Sequence, residues 1–221
     1  PKPSSAASDV YKRQVFIIGS INRKLPSAMI AHSGEYRKKN GQRGYVMMNN
    51  FIFENKTTVY FGKGGVKEYL GGLLANFGET VMLAYGGGSI KRNGVYDEIM
   101  GILNAQGKCV VEFSGIMSNP TYAKVQDGAK LARENHVDLI LAVGGGSVSD
   151  CCKVISAQAN LNEDIWEMQY TKHTLPTKFI PLGTIVTVFG TGSEMNNGPS
   201  SPTRKRKSRA PFGAHRRNSR S

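Results

Sequence analysis

The sequence predicts an α/β protein built on a mostly parallel sheet with helices on both faces. Three observations carry that prediction. From residue 47 onward, short β-branched and aromatic runs alternate with stretches of helical periodicity. Several of the runs are apolar from end to end, as strands buried on both faces require. Glycine-rich turns follow them and lead into helices, the signature of βαβ units.

Asn50–Phe53 and Thr57–Phe61 read as the first strands, separated by a short polar turn. Gly62-Lys63-Gly64-Gly65 interrupts them, and Val66–Phe77 carries apolar residues at helical spacing. Thr80–Tyr85 is a buried-type strand that runs into Gly86-Gly87-Gly88-Ser89, and Val95–Ala105 reads as an amphipathic helix. Cys109–Phe113 is the next strand and Tyr122–Asn135 the next helix. Asp138–Val143 leads into Gly144-Gly145-Gly146-Ser147 and a helix over Val148–Asn160. Phe179–Leu182 then leads to a last glycine-rich turn, Gly190-Thr191-Gly192-Ser193-Glu194.

In an open parallel sheet, ligands bind outside the carboxyl ends of the strands, where all three turns fall. A helix that starts after such a turn aims unpaired N–H groups at a ligand, and its dipole favours an anion. Gly144–Ser147 therefore reads as a pyrophosphate cradle or as a tight packing turn. Neither GGGS turn has the spacing of the GxGxxG fingerprint or the Lys-Ser/Thr pair of a P-loop. Asp150 falls in the first turn of the following helix, where an acid also complements the dipole. Thr187, Thr191 and Ser193 are either turn-stabilising hydroxyls or ligands to phosphate and ribose. His136 and His173 are isolated and read as surface or loop residues, and Trp166 and Tyr170 as packing residues.

The chain has 221 residues and a net charge of +13, concentrated at its ends. Residues 1–47 carry +7, residues 48–198 carry -2, and residues 199–221 carry +8. The middle is thus an ordinary globular composition. Three cysteines, two of them adjacent (Cys151 and Cys152), offer no disulfide framework and no CxxC pattern, which suits a reducing cytoplasm. The run Val15–Ile18 is too short for a signal sequence or a membrane span. Residues 1–46 show no sustained period and read as disordered or as extraneous upstream translation.

Taken together, MNNFIFENKTTVYFGKG, YGGGSIKRNGVYDEI, SNPTYAKVQDGAKLARENHVDLILAVGGGSVSDCCK and PLGTIVTVFGTGSEMNNG resemble, in order, the N-terminal half of the iron-containing (group III) alcohol dehydrogenases. The nearest subgroup is the NADPH-dependent butanol dehydrogenase and aldehyde reductase type. The resemblance implies a Rossmann-like nucleotide-binding domain of the dehydroquinate synthase-like kind over residues 47–198. It also implies a helical metal-binding domain, which has no counterpart in this chain, and a homodimer acting on a small alcohol or aldehyde. In the family a divalent metal, iron or zinc, polarises the substrate oxygen while hydride passes to or from the nicotinamide. The segments that hold that metal are not matched here, so no metal ligand is assigned.

Carried over from the family, Gly145, Gly146 and Ser147 bind the pyrophosphate and Asp150 lies close to the cofactor and the catalytic cleft. Thr187, Thr191 and Asn196 complete the nucleotide site, and Asn119 lies near its adenosine end. Gly86, Gly87 and Ser89 form the turn facing the ribose. NAD-preferring relatives place an Asp at the position of Gly87, where its carboxylate repels a 2′-phosphate. Glycine removes that repulsion, and Ser89 with Lys91 or Arg92 adds donors and charge, so NADP(H) is favoured over NAD(H).

The basic tail admits two readings. One is a nucleic-acid-binding arm at Arg204–Arg209. The other is a shifted reading frame: relatives continue with a peptide like AVITNPETK, and one coding string for it, read one base out of register, gives PSSPTRKRK, the sequence of Pro199–Lys207. The second reading is preferred, with no specific nucleic-acid or membrane partner expected. Glycerol dehydrogenase-like enzymes of the same superfamily are the nearest alternative for the whole.

Overall fold

A computed structural model describes residues 57–195 together with strands at 14–19, 35–37 and 43–45. The strand expected at Asn50–Phe53, Asn196 and the basic tail lie outside the described residues. The chain forms two units, one of Pro1–Asn22 with Thr57–Ser221 and one of Arg23–Lys56. The smaller holds an antiparallel pair, β2 (Glu35–Arg37) and β3 (Arg43–Tyr45), with Tyr36 opposite Gly44.

The larger unit contains β1 (Gln14–Gly19), β4 (Thr58–Gly62), α1 (Gly65–Leu74), β5 (Thr80–Tyr85), α2 (Ser89–Arg92) and α3 (Val95–Ala105). It continues with β6 (Cys109–Phe113), α4 (Tyr122–Glu134), β7 (Leu139–Gly144), α5 (Gly146–Gln158), α6 (Ile165–Tyr170) and β8 (Leu182–Val186). Its six strands lie in the order β4-β1-β8-β7-β5-β6. β8, β7, β5 and β6 are parallel, as expected, with Met82 opposite Ile140 and Ala142 opposite Thr184.

Two departures from the sequence reading concern strands. β1 runs antiparallel between β4 and β8, inside a segment expected to lack regular structure. Val15-Phe16-Ile17-Ile18 has the β-branched and aromatic composition a sheet strand uses, but its pairing partners are remote in sequence, so no local period announces it. The last strand is Leu182–Val186 and not Phe179–Leu182. It starts after Pro181, which has no N–H to give to a ladder and contributes only its carbonyl, accepting from Ile140 N at 2.9 Å.

Alternation along the central strands builds two cores. Val81, Leu83 and Tyr85 of β5 and Leu139, Leu141 and Val143 of β7 pack with Leu70 of α1 and Ile99 and Leu103 of α3 on one face. Met82, Ala84, Ile140 and Ala142 pack with Val125 and Ala129 of α4 and Cys152 and Ile155 of α5 on the other. Each large side chain fully buried in this way contributes about 1.5–3 kcal/mol. Helix starts follow the local chemistry. Thr121 caps α4 by accepting from Lys124 N, and Asp164 caps α6 by accepting from the N–H groups of Trp166 and Glu167. Among the described residues, no helix is long and apolar enough to cross a membrane.

Candidate nucleotide site

β5 is followed by β6 on one side, while β7 and then β8 lie on the other. The chain therefore reverses its direction of travel across the sheet at β5, a reversal that in open α/β sheets marks the ligand-binding crevice, here at the carboxyl ends of β5 and β7. The turns at Gly86–Ser89 and Gly144–Ser147 flank that crevice, and the turn after β8 joins them. Val148, the third residue of α5, ties the first two turns together. A Cβ on Gly144 would lie 2.7 Å from its side chain and one on Gly86 3.9 Å from it.

The cradle at the start of α5 has little room to spare. A Cβ on Gly146 would stand 2.3 Å from Thr191 Oγ1 and 2.8 Å from Ser193 Oγ, so only glycine lets the two turns close on each other. Those hydroxyls are hydrogen-bonded to each other at 2.8 Å, and Thr191 Oγ1 also accepts from Ser193 N. Thr187 N donates to Gly144 O at 2.9 Å, extending the ladder into the turn. No side chain caps α5, and the N–H groups of Val148 and Ser149 already donate to Gly145 O. The N–H groups of Gly146 and Ser147 are left without an intrahelical acceptor, as at any helix start, and form the positive end of the dipole.

Asp150 sits about one helical turn and Lys153 about two turns into α5, each 8% exposed. Lys153 Nζ lies 3.6 Å from Asp150 Oδ1 and donates to the carbonyl of Ser193, fastening the last turn to the helix. Burial lowers the Lys153 pKa, and the Asp150 carboxylate works against that shift. Asp150 Oδ1 is buried and accepts no hydrogen bond, leaving an acceptor beside the cradle. Sequence reasoning singled out Asp150 but not Lys153, whose only signal was a lone cation in the apolar run Cys151–Ala157.

At the β5 turn, Gly88 takes φ 92°, a left-handed conformation that glycine adopts without strain, and α2 starts on it. Gly87 is exposed, and a Cβ there would meet nothing within 4 Å. Ser89 opens α2 and is exposed. Beside this turn lies a charged cluster of which sequence reasoning named Lys91 but not Glu112, Tyr85 or Tyr96. Glu112 accepts from Tyr85 Oη and Tyr96 Oη, both at 2.5 Å, and from Lys91 Nζ at 3.4 Å. Lys91 Nζ stands 4.3 Å from the centre of the Tyr96 ring and 5.3 Å from that of Tyr85. The two phenol donors hold the Glu112 pKa below its ordinary value. Asn119, on the loop after β6, is exposed at φ 58°.

The cysteines of α5 are inert packing groups: Cys151 is 1% and Cys152 0% exposed, and burial raises the Cys151 thiol pKa to about 12. Cys109 is exposed. Titration of the native chain with a thiol reagent at pH 8 is expected to show one fast thiol, and the other two only after denaturation. Three fast thiols would contradict this packing. Among the described residues, no three His, Cys, Asp or Glu side chains group to hold a metal ion.

The sequence profile of the family described as iron-containing alcohol dehydrogenase matches residues 56–211. This chain belongs to that family. The probable NADH-dependent butanol dehydrogenase 2 of Bacillus subtilis is 46% identical over 149 residues, 67% of this chain and 38% of that protein. The NADPH-dependent aldehyde reductase YqhD of Escherichia coli is 41% identical over 68% of this chain and 38% of its own length. The crystal structure of NADH-dependent butanol dehydrogenase A from Thermotoga maritima superposes with a TM-score of 0.63 at 38% identity, covering 68% of this chain and 38% of that one. The chain thus spans well under half the length of the curated relatives it matches. Membership of the iron-containing alcohol dehydrogenases agrees with the parallel α/β sheet and with the motifs that pointed to it.

Proposed function

We propose that this chain supplies the nucleotide-binding region, over residues 47–198, of a metal-dependent alcohol dehydrogenase or aldehyde reductase that moves hydride between NADP(H) and a small alcohol or aldehyde. The observation that carries the reading is the closure of the Thr191 and Ser193 hydroxyls on Gly146, at the uncapped start of α5. That arrangement fits a dinucleotide: amide hydrogens and hydroxyls converge where a pyrophosphate needs donors. Bound there, the cofactor accepts or gives hydride. Gly145, Gly146, Ser147 and Thr191 bind the pyrophosphate, Thr187 and Asn196 bound the nucleotide, and Asp150 faces the cofactor. Gly86, Gly87 and Ser89 receive the adenosine ribose, with Asn119 near the base. A cytoplasmic setting and a homodimer belong to the same proposal.

The preference for NADP(H) rests on Gly87 and on the charge that Lys91 brings to the helix following the turn. Two of the relatives named above are NADH-dependent and one NADPH-dependent, so the turn itself has to decide. The space around Gly87 accepts a side chain. Titration of the chain with NADPH and NADH is expected to show tighter binding of NADPH. Gly87→Asp is expected to shift the ratio about tenfold toward NADH, the scale of a carboxylate placed against a phosphate. Equal affinities in the wild type, or an unchanged ratio in the variant, would refute the preference. The chain spans only 38% of the length of the Bacillus subtilis relative, so added iron or zinc with NADPH and butyraldehyde is expected to give no aldehyde reduction by this chain alone.

A further inference from the structure

The cluster beside the β5 turn carries an inference that rests on the nucleotide reading above and extends it. Lys91 follows Ser89 by two residues, and its ammonium does not extend freely into solvent. It is held between the Tyr85 and Tyr96 rings and the Glu112 carboxylate. Tyr85 is the last residue of β5 and 3% exposed, so the acceptor it fixes on Glu112 has a set position relative to the turn. Tyr96 of α3 fixes the second carboxylate oxygen. The Lys91 and Glu112 side chains are 48% and 40% exposed, so both charges act across water at the mouth of the turn.

Two opposite charges in that position have opposing effects on a 2′-phosphate. Lys91 attracts it, while Glu112 repels it and competes for Lys91. We propose that Glu112 is a specificity-determining residue: it orients Lys91 at the Gly87–Ser89 turn and partly neutralises it. The site then accepts a nucleotide with a 2′-phosphate in preference to one without, but does not demand it. Glu112→Gln keeps an acceptor for one tyrosine and a donor to the other while removing the charge.

The test compares adenosine 2′,5′-bisphosphate with 5′-AMP, titrated into the full chain at low ionic strength and followed by NMR shifts, with each variant's fold checked by circular dichroism. The affinity ratio of the bisphosphate to 5′-AMP is expected to rise about fivefold in Glu112→Gln and to fall about fivefold in Lys91→Gln, the scale of one unit charge near a phosphate in a largely aqueous setting. An unchanged or inverted ratio in either folded variant, with 5′-AMP still bound, overturns the role of the cluster alone. Lys91 is exposed enough that its variant decides the matter even where Glu112→Gln fails to fold. Failure of the wild type to bind either nucleotide overturns the nucleotide reading itself, and this inference with it.

Discussion

Gly146→Val is expected to abolish measurable nucleotide binding while leaving the sheet folded. Any Cβ at this position meets Thr191 Oγ1 at 2.3 Å, Ser193 Oγ at 2.8 Å and Thr191 Cβ at 3.1 Å. Ser193 is 3% exposed and hydrogen-bonded to Thr191, so its hydroxyl has no open space to move into. Valine would push the turn after β8 off the start of α5, separating the hydroxyls from the helix amides. We expect at least a hundredfold loss of affinity for NADPH, with a stability loss of about 1–3 kcal/mol from the overpacking. Gly72→Ala is the matched control, because a Cβ there meets nothing within 4 Å. In an exposed helix interior, alanine is expected to add about 0.5–1 kcal/mol. Isothermal titration and urea unfolding read both quantities, and nucleotide affinity within threefold of wild type in Gly146→Val would remove the cradle from the site.

Lys153→Met is expected to be the most destabilising single change in the nucleotide region. The methylene stem is replaced almost isosterically, so the packing loss is small. The consequence lies in what is left behind: the Asp150 carboxylate would remain buried with no counter-charge, and the Ser193 carbonyl would lose its donor. Stranding one member of a buried ion pair costs about 3–5 kcal/mol. Asp150→Asn in the same background is expected to recover most of that loss, since it removes the stranded charge. Urea unfolding measures each step, and a loss below about 1 kcal/mol in Lys153→Met would show that the pair is not the fastener described above.

Elements bounded by strong local signals were legible in the sequence. Thr80–Tyr85, Val95–Ala105 and Cys109–Phe113 run between glycines or polar breaks and match the structure at both ends. Elements whose existence depends on remote pairing were not. β1 depends on β4 and β8, and Gln14–Gly19 has no neighbouring period to betray it. The same division runs through the site. Gly145, Gly146 and Ser147 announce themselves, because tight turns and close backbone approach call for glycine at fixed offsets. The tie from Lys153 to Ser193 spans 40 residues, and those from Glu112 to Tyr85 and Tyr96 span 27 and 16. No local pattern encodes such distances, so a charged residue in an apolar stretch was the only available hint.

Every residue of α5 from Val148 to Gln158 is buried. Its backbone amides should therefore exchange with solvent hydrogen only when the whole unit unfolds, whereas those of Val188–Gly192, all exposed, should exchange quickly. A ligand arriving at the start of α5 meets donors already fixed in place, and only the short exposed turn has order to lose on binding. Most of the entropy of assembling such an anion site has then been spent in folding, before any nucleotide is encountered.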